Sequence, residues 1–106
     1  MKEIGGMKMV ESITAKELEK IYKDDGVNII DVREDDEVAI EKIPGSLHLP
    51  MSQFPEVMNQ LDKDTEYYVI CRTNNRSTKA AEQLIEEGYH AKVISDGMQG
   101  WEGKTK

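Results

Sequence analysis

Three short apolar runs, rich in β-branched residues, constrain this chain most: "VNIIDVR" (27–33), "EYYVIC" (66–71) and "AKVIS" (91–95). Each has the length and composition of a buried strand. Between them lie segments with helical spacing. Thr14 and Glu17 stand at capping-box spacing ahead of "AKELEKIYK". "EDDEVAIEK" (34–42) reads as a short acidic helix, and "SQFPEVMNQL" (52–61) as another with a proline near its start. "STKAAEQLIEEGY" (77–89) is amphipathic, with Ala81, Leu84 and Ile85 facing inward and Gly88 placed to end it. "KMVESI" (8–13) reads as a short edge strand, and "IPGSLHLP" (43–50) as a turn and extended segment framed by prolines. Strands alternating with helices imply an α/β domain with a largely parallel sheet covered on both faces. Ligands of such sheets bind beyond the carboxyl ends of the strands. Asp31 to Arg33, Cys71 onward, and Asp96 to Trp101 fall at those ends.

Length and charge narrow the classes. A chain of 106 residues fits one domain. Residues 1–7, with Gly5 and Gly6, are expected to be a loose tail, and 8–106 the single domain. A net charge of −7 disfavours nucleic acid and anionic membrane surfaces as partners. Any anion site must be built from a few placed arginines and backbone N–H groups. The apolar runs are far shorter than the roughly 20 residues that span a bilayer. "MKEIGGMKMVES" carries no apolar signal core, so the protein is expected in the cytoplasm. One cysteine excludes an internal disulfide, a CxxC pair and a cysteine-rich zinc site. His48 and His90 lack ligand-like spacing, and no metal is expected.

The chemistry centres on "CRTNNRS" (71–77). A free cysteine at the end of an apolar run is often simply core. The residues after it change that reading: Arg72, Thr73, Asn74, Asn75 and Arg76 make poor core and a good anion cradle. Ser77 then opens the helix. A loop wrapped at a helix N-terminus points N–H groups inward, and such a nest lowers a thiol's pKa. An unperturbed cysteine is only about 3% thiolate at pH 7. A downward shift of about two units, roughly 2.7 kcal/mol, makes it mostly thiolate. A few charge-assisted N–H bonds supply that much. Asn74 and Asn75 tolerate the left-handed conformations that a tight loop calls for.

The loop resembles the active-site loop of the rhodanese family, in which a cysteine begins a turn that closes with arginine and then Ser or Thr. "IIDVRE" (29–34) with Glu37, "IPGSLHLP" (43–50) and "DGMQGW" (96–101) resemble three further family motifs, in the same order. The likeness runs from about Val10 to Glu102. It implies a three-layer α/β/α rhodanese-like fold with a central, mostly parallel five-stranded sheet. It also implies a sulfurtransferase in which Cys71 takes a sulfane sulfur from thiosulfate or a protein persulfide and passes it to a thiol or cyanide. The covalent persulfide is the intermediate, and no separate cofactor is implied. Arg72 and Arg76 are expected to attract the anionic donor, with a structural role for Arg76 as the alternative. Two departures stand out: Asn74 occupies a position where many members have glycine, and Glu41-Lys42 replace Gly-His before Ile43.

Loop length separates chemistries. Cys71 to Arg76 is C-x4-R, one residue shorter than the C-x5-R of cysteine phosphatases and arsenate reductases. The shorter ring suits one sulfur atom better than four oxygens. A sulfur-carrier or regulatory module without turnover remains a second reading. Asp31 and Arg33 read either as braces of the rim beside the Cys71 loop, through hydrogen bonds or ion pairs, or as a purely structural helix cap and a salt bridge that could include Glu37. Trp101 reads as a packing anchor, and Glu34 to Glu37 as a solvated acidic face.

Overall fold

The computed structural model describes residues 10–106. The expected tail (1–7) and the start of the strand expected at 8 lie outside the described residues. The five strands are β1 (Ser12–Ile13), β2 (Asn28–Asp31), β3 (Leu47–His48), β4 (Glu66–Ile70) and β5 (His90–Ile94). The α-helices are α1 (Ala15–Ile21), α2 (Asp35–Ile40) and α3 (Asn75–Glu86). One sheet forms, in the order β1-β5-β4-β2-β3, and every strand pair is parallel.

Side-chain alternation along the strands divides the core in two. Ile30, Val69 and Val93 point to one face with Ala80, Ala81 and Leu84 of α3. Ile29, Ile70 and Ile94 point to the other with Ala15 and Leu18 of α1 and Trp101. Trp101 is buried edge-on against Tyr22, as a packing anchor should be. The period of two also decides where Cys71 goes. Two residues past Val69, it falls on the α3 face and meets the amino end of that helix.

Local signals act as expected at several points. Thr14 and Glu17 form the capping box of α1. Gly88 takes φ +95° after α3, and its N–H and that of Tyr89 donate to Ile85 and Leu84, a Schellman closure. Two expectations are corrected. Segment 52–61 is not one helix but two 3-10 turns, Met51–Gln53 and Glu56–Gln60, on either side of Pro55. Proline has no N–H to continue the first turn. Helix α3 begins at Asn75 rather than Ser77, with Asn74 as its N-cap.

Candidate active site

The chain leaves β4 and enters α3 within four residues, so Cys71 sits where a strand's carboxyl end meets a helix's amino end. The residue is 1% exposed. The Ser77 N–H, in the first turn of α3, donates to Cys71 Sγ at 3.3 Å. The thiol donates in turn to Ser77 Oγ at 3.4 Å. The Ser77 hydroxyl gives its hydrogen to the Asn74 carbonyl at 3.2 Å. Ser77 thus presents two groups to the sulfur, one fixed by the helix and one able to rotate.

The loop needs no left-handed asparagine. Among the described residues no side-chain-bearing residue has positive φ, and Asn74 takes φ −147° and ψ 0°. The early start of α3 makes the sharp turn instead, and a glycine supports it from outside. Gly97 adopts φ +60°, and any Cβ there would collide with the carbonyl oxygens of Cys71, Arg72 and Thr73. The next two N–H groups bind those carbonyls: Met98 to Cys71 O at 2.8 Å and Gln99 to Arg72 O at 3.0 Å. The turn Gly97–Gly100 therefore holds the loop's carbonyls on its outer side. Gly97 was legible only as one glycine in a turn; its contact with the loop is a tertiary fact. Asn74 turns its amide away to the Ser95 carbonyl at 3.1 Å, tying the loop to the end of β5.

The arginines divide into two systems. Arg33 is buried and grips Asp31 with both Nε and Nη2, at 2.7 to 3.1 Å, and its Nη2 also reaches the Glu41 carbonyl. The expected support of the rim is thus an internal Asp31–Arg33 pair, without Glu37. Glu37 instead receives Arg76, Nη1 to Oε1 at 2.6 Å and Nη2 to Oε2 at 3.0 Å. Arg72 Nη2 stands 3.6 Å from the same carboxylate. The Arg76 hydrogen bonds, above all, hold the Glu37 carboxyl down at about 2, and Glu37 raises Arg76 in return. Glu37 also accepts the Glu34 N–H to close the cap of α2. Of the acidic run, Glu37 is thus drawn against the Cys71 loop by Arg76, not left as part of a solvated face. Beside the loop lies a cleft of about 440 Å³, walled by Arg33, Asp36, Glu37, Ile40, Arg72 and Met98 among others. Cys71 lies beneath the loop and is not part of that wall. Among the described residues no helix is long and apolar enough to cross a membrane.

Comparison with known proteins decides the family. The rhodanese-like domain profile matches residues 14–104. The chain belongs to the rhodanese-like domain family. A Bacillus subtilis protein, "Putative sulfurtransferase YtwF", is 45% identical over 100 residues, covering 94% of this chain and 97% of the relative. A protein of Allochromatium vinosum named "Sulfurtransferase" is 34% identical, covering 88% of this chain and 89% of its own. The crystal structure of a rhodanese-related protein from Thermoplasma volcanium superposes with a TM-score of 0.84 at 31% identity, over 91% of this rhodanese-like chain and 97% of that one.

Proposed function

We propose that this rhodanese-like protein is a sulfurtransferase whose Cys71 carries the transferred sulfur. The observation that supports this most is the placement of Cys71 Sγ against the Ser77 N–H at the amino end of α3. That end of a helix favours negative charge, and a thiolate or a persulfide anion is negative. The Ser77 hydroxyl can rotate its hydrogen from the Asn74 carbonyl to the sulfur anion, because that carbonyl keeps the Thr78 N–H at 2.9 Å. Among the described residues no general base is hydrogen-bonded to the thiol, and none is needed once the anion is held in this way.

The reaction is a two-step covalent exchange. The Cys71 thiolate attacks the outer sulfur of a donor such as thiosulfate. The donor's S–S bond breaks, sulfite departs with the electron pair, and Cys71 holds a persulfide. A thiolate or cyanide then attacks the outer sulfur, and Cys71 leaves as thiolate. The loop residues Arg72 to Ser77 surround the added atom, while Asp31 and Arg33 fix the neighbouring rim. The buried thiol and the short loop favour a single sulfur over a tetrahedral oxyanion. The names of the sulfurtransferase relatives accord with this reading.

Incubation with thiosulfate, mercaptopyruvate or a protein persulfide, followed by intact mass measurement, should show one added sulfur. The Cys71→Ser variant should show none. Absence of the adduct with all three donors would end the proposal. Loading without multiple turnover would indicate a carrier, and hydrolysis of an aryl phosphate would indicate a phosphatase.

A further inference from the structure

The Cys71 loop is held from outside, and its holder is itself held. The turn Gly97–Gly100 lends the Met98 and Gln99 N–H groups to the carbonyls of Cys71 and Arg72. A single 3-10 turn has weak internal bonding, so its place must be fixed by something else. That support is α1. Asp96, the residue before the turn, accepts the Ala15 N–H on Oδ1 at 2.7 Å, across 81 positions of sequence. Its Oδ2 packs against Gly100, where any Cβ would collide with it. One carboxylate thus joins the first residue of α1 to both ends of the turn. Beyond the turn, Trp101 is buried edge-on against Tyr22, and the Glu102 N–H donates to Glu19 of α1 at 2.6 Å. The loop reaches back to the same place, because the Asn74 amide binds the carbonyl of Ser95, next to Asp96. Thr14 and Glu17 already close the capping box of α1 without Asp96. Asp96 is exposed, so no buried polar group calls for its bond either. What the bond fixes is the position of the turn relative to α1.

We propose that Asp96 is a positioning residue for the Cys71 loop: by fastening the turn Gly97–Gly100 to α1, it keeps the Cys71 and Arg72 carbonyls on the outer side of the loop, away from the thiol. The kinetic consequence rests on the sulfur-transfer reading, whereas the positional one stands on the geometry. Asp96 touches no reacting atom and acts through the Met98 and Gln99 N–H groups. The place of its acceptor oxygen matters here, not its charge. Asparagine offers an oxygen at the same reach, and glutamate carries the charge one bond too far out.

The test uses the full chain and two readouts. Loading of Cys71 by thiosulfate is followed by intact mass over a range of donor concentrations, and exchange of the Met98 and Gln99 amides by NMR. Asp96→Ala should lower the limiting loading rate about fivefold or more, with the half-saturating donor concentration little changed, because a displaced loop forfeits at least the worth of one hydrogen bond. The Met98 and Gln99 amides should exchange severalfold faster, while Val69 and Ile70 of β4 keep their protection. Asp96→Asn should restore most of the parental rate, and Asp96→Glu should behave like the alanine variant. Tyr89→Phe is the control for plain loss of stability. It removes a hydroxyl bond to the Met58 carbonyl, just before β5, and should leave both readouts unchanged. If Asp96→Ala fails to fold, the other pair decides: Asn fast and Glu slow supports the proposal. Glu fast with Asn slow, an alanine variant at the parental rate, or a loss that Tyr89→Phe reproduces overturns it while leaving sulfur transfer standing. A parent that never loads removes the sulfur-transfer reading, and unchanged exchange at Met98 and Gln99 in Asp96→Ala removes this one.

Discussion

Replacing Gly97 by alanine should damage the Cys71 loop from a residue that carries no chemistry. The added Cβ would lie 2.5 Å from the Cys71 carbonyl oxygen and 2.6 Å from that of Arg72, and nearer still to that of Thr73. All three obstacles are backbone atoms, so no flexible side chain can swing aside. Forcing an alanine into left-handed backbone at φ +60° costs roughly 1–2 kcal/mol. Overpacking against fixed atoms adds roughly 1–3 kcal/mol. If the turn moves away instead, the Met98 and Gln99 N–H bonds to the loop are lost, at roughly 1 kcal/mol each. By either route the sum is roughly 2–5 kcal/mol. For a domain of this size each kcal/mol lowers Tm by roughly 4–8 °C, so a fall of at least about 8 °C is expected. Sulfur loading should fall further than stability, because the displaced atoms belong to Cys71 and Arg72 themselves. Calorimetry gives the first quantity, and intact mass after thiosulfate exposure, well below the melting transition, gives the second. A Gly97→Ala protein that melts within about 1 kcal/mol of the parent and loads sulfur at the parental rate would refute the claim that this turn shapes the loop.

Three further outcomes follow from the same geometry. Asp31→Ala should cost roughly 3–5 kcal/mol in chemical denaturation, because it strands the buried Arg33 guanidinium; removing Arg33 as well should recover part of the loss. Ser77→Ala keeps the N–H donor but removes the hydroxyl, so loading should slow by about fivefold to tenfold, the worth of roughly 1 kcal/mol, with the fold intact by circular dichroism. Glu37 has its carboxyl lowered from 4.5 to about 2, so its contribution is complete above about pH 4.5 and is lost as the pH falls toward 2. Partial exposure of Arg76 reduces that contribution to about 1–2 kcal/mol, and Glu37→Gln should flatten the stability profile across this window.

Much of this architecture is written in local pattern. The β-branched runs mark β2, β4 and β5, and the short-range signals at Thr14, Glu17 and Gly88 punctuate the helices. The end of the apolar run places Cys71 at a rim, the period of two turns it toward α3, and the polar residues after it mark the loop. What local pattern could not carry is pairing across distance. Arg76 and Glu37 lie 39 residues apart, and nothing near either announces the other. Asp31 and Arg33 are two residues apart, yet whether Arg33 would choose Asp31 or Glu37 depended on how the loop folded over α2. The onset of α3 at Asn75 rather than Ser77 escapes local pattern, because Asn75 and Arg76 are ordinary loop residues and Asn74 makes no side-chain capping bond that would announce the helix.

Strand β3, at one edge of the sheet, closes the domain to a kind of association that parallel sheets otherwise invite. It has two residues and is framed by Pro44 and Pro50, neither of which has an N–H to offer. The adjoining N–H groups of Leu49 and Met51 turn inward to Asp31 and Val32. A foreign strand arriving at this edge finds too few donors to zip along it. Crowded solutions of the protein should therefore resist fibril growth from this side, even though Leu47 stands partly bare beside it.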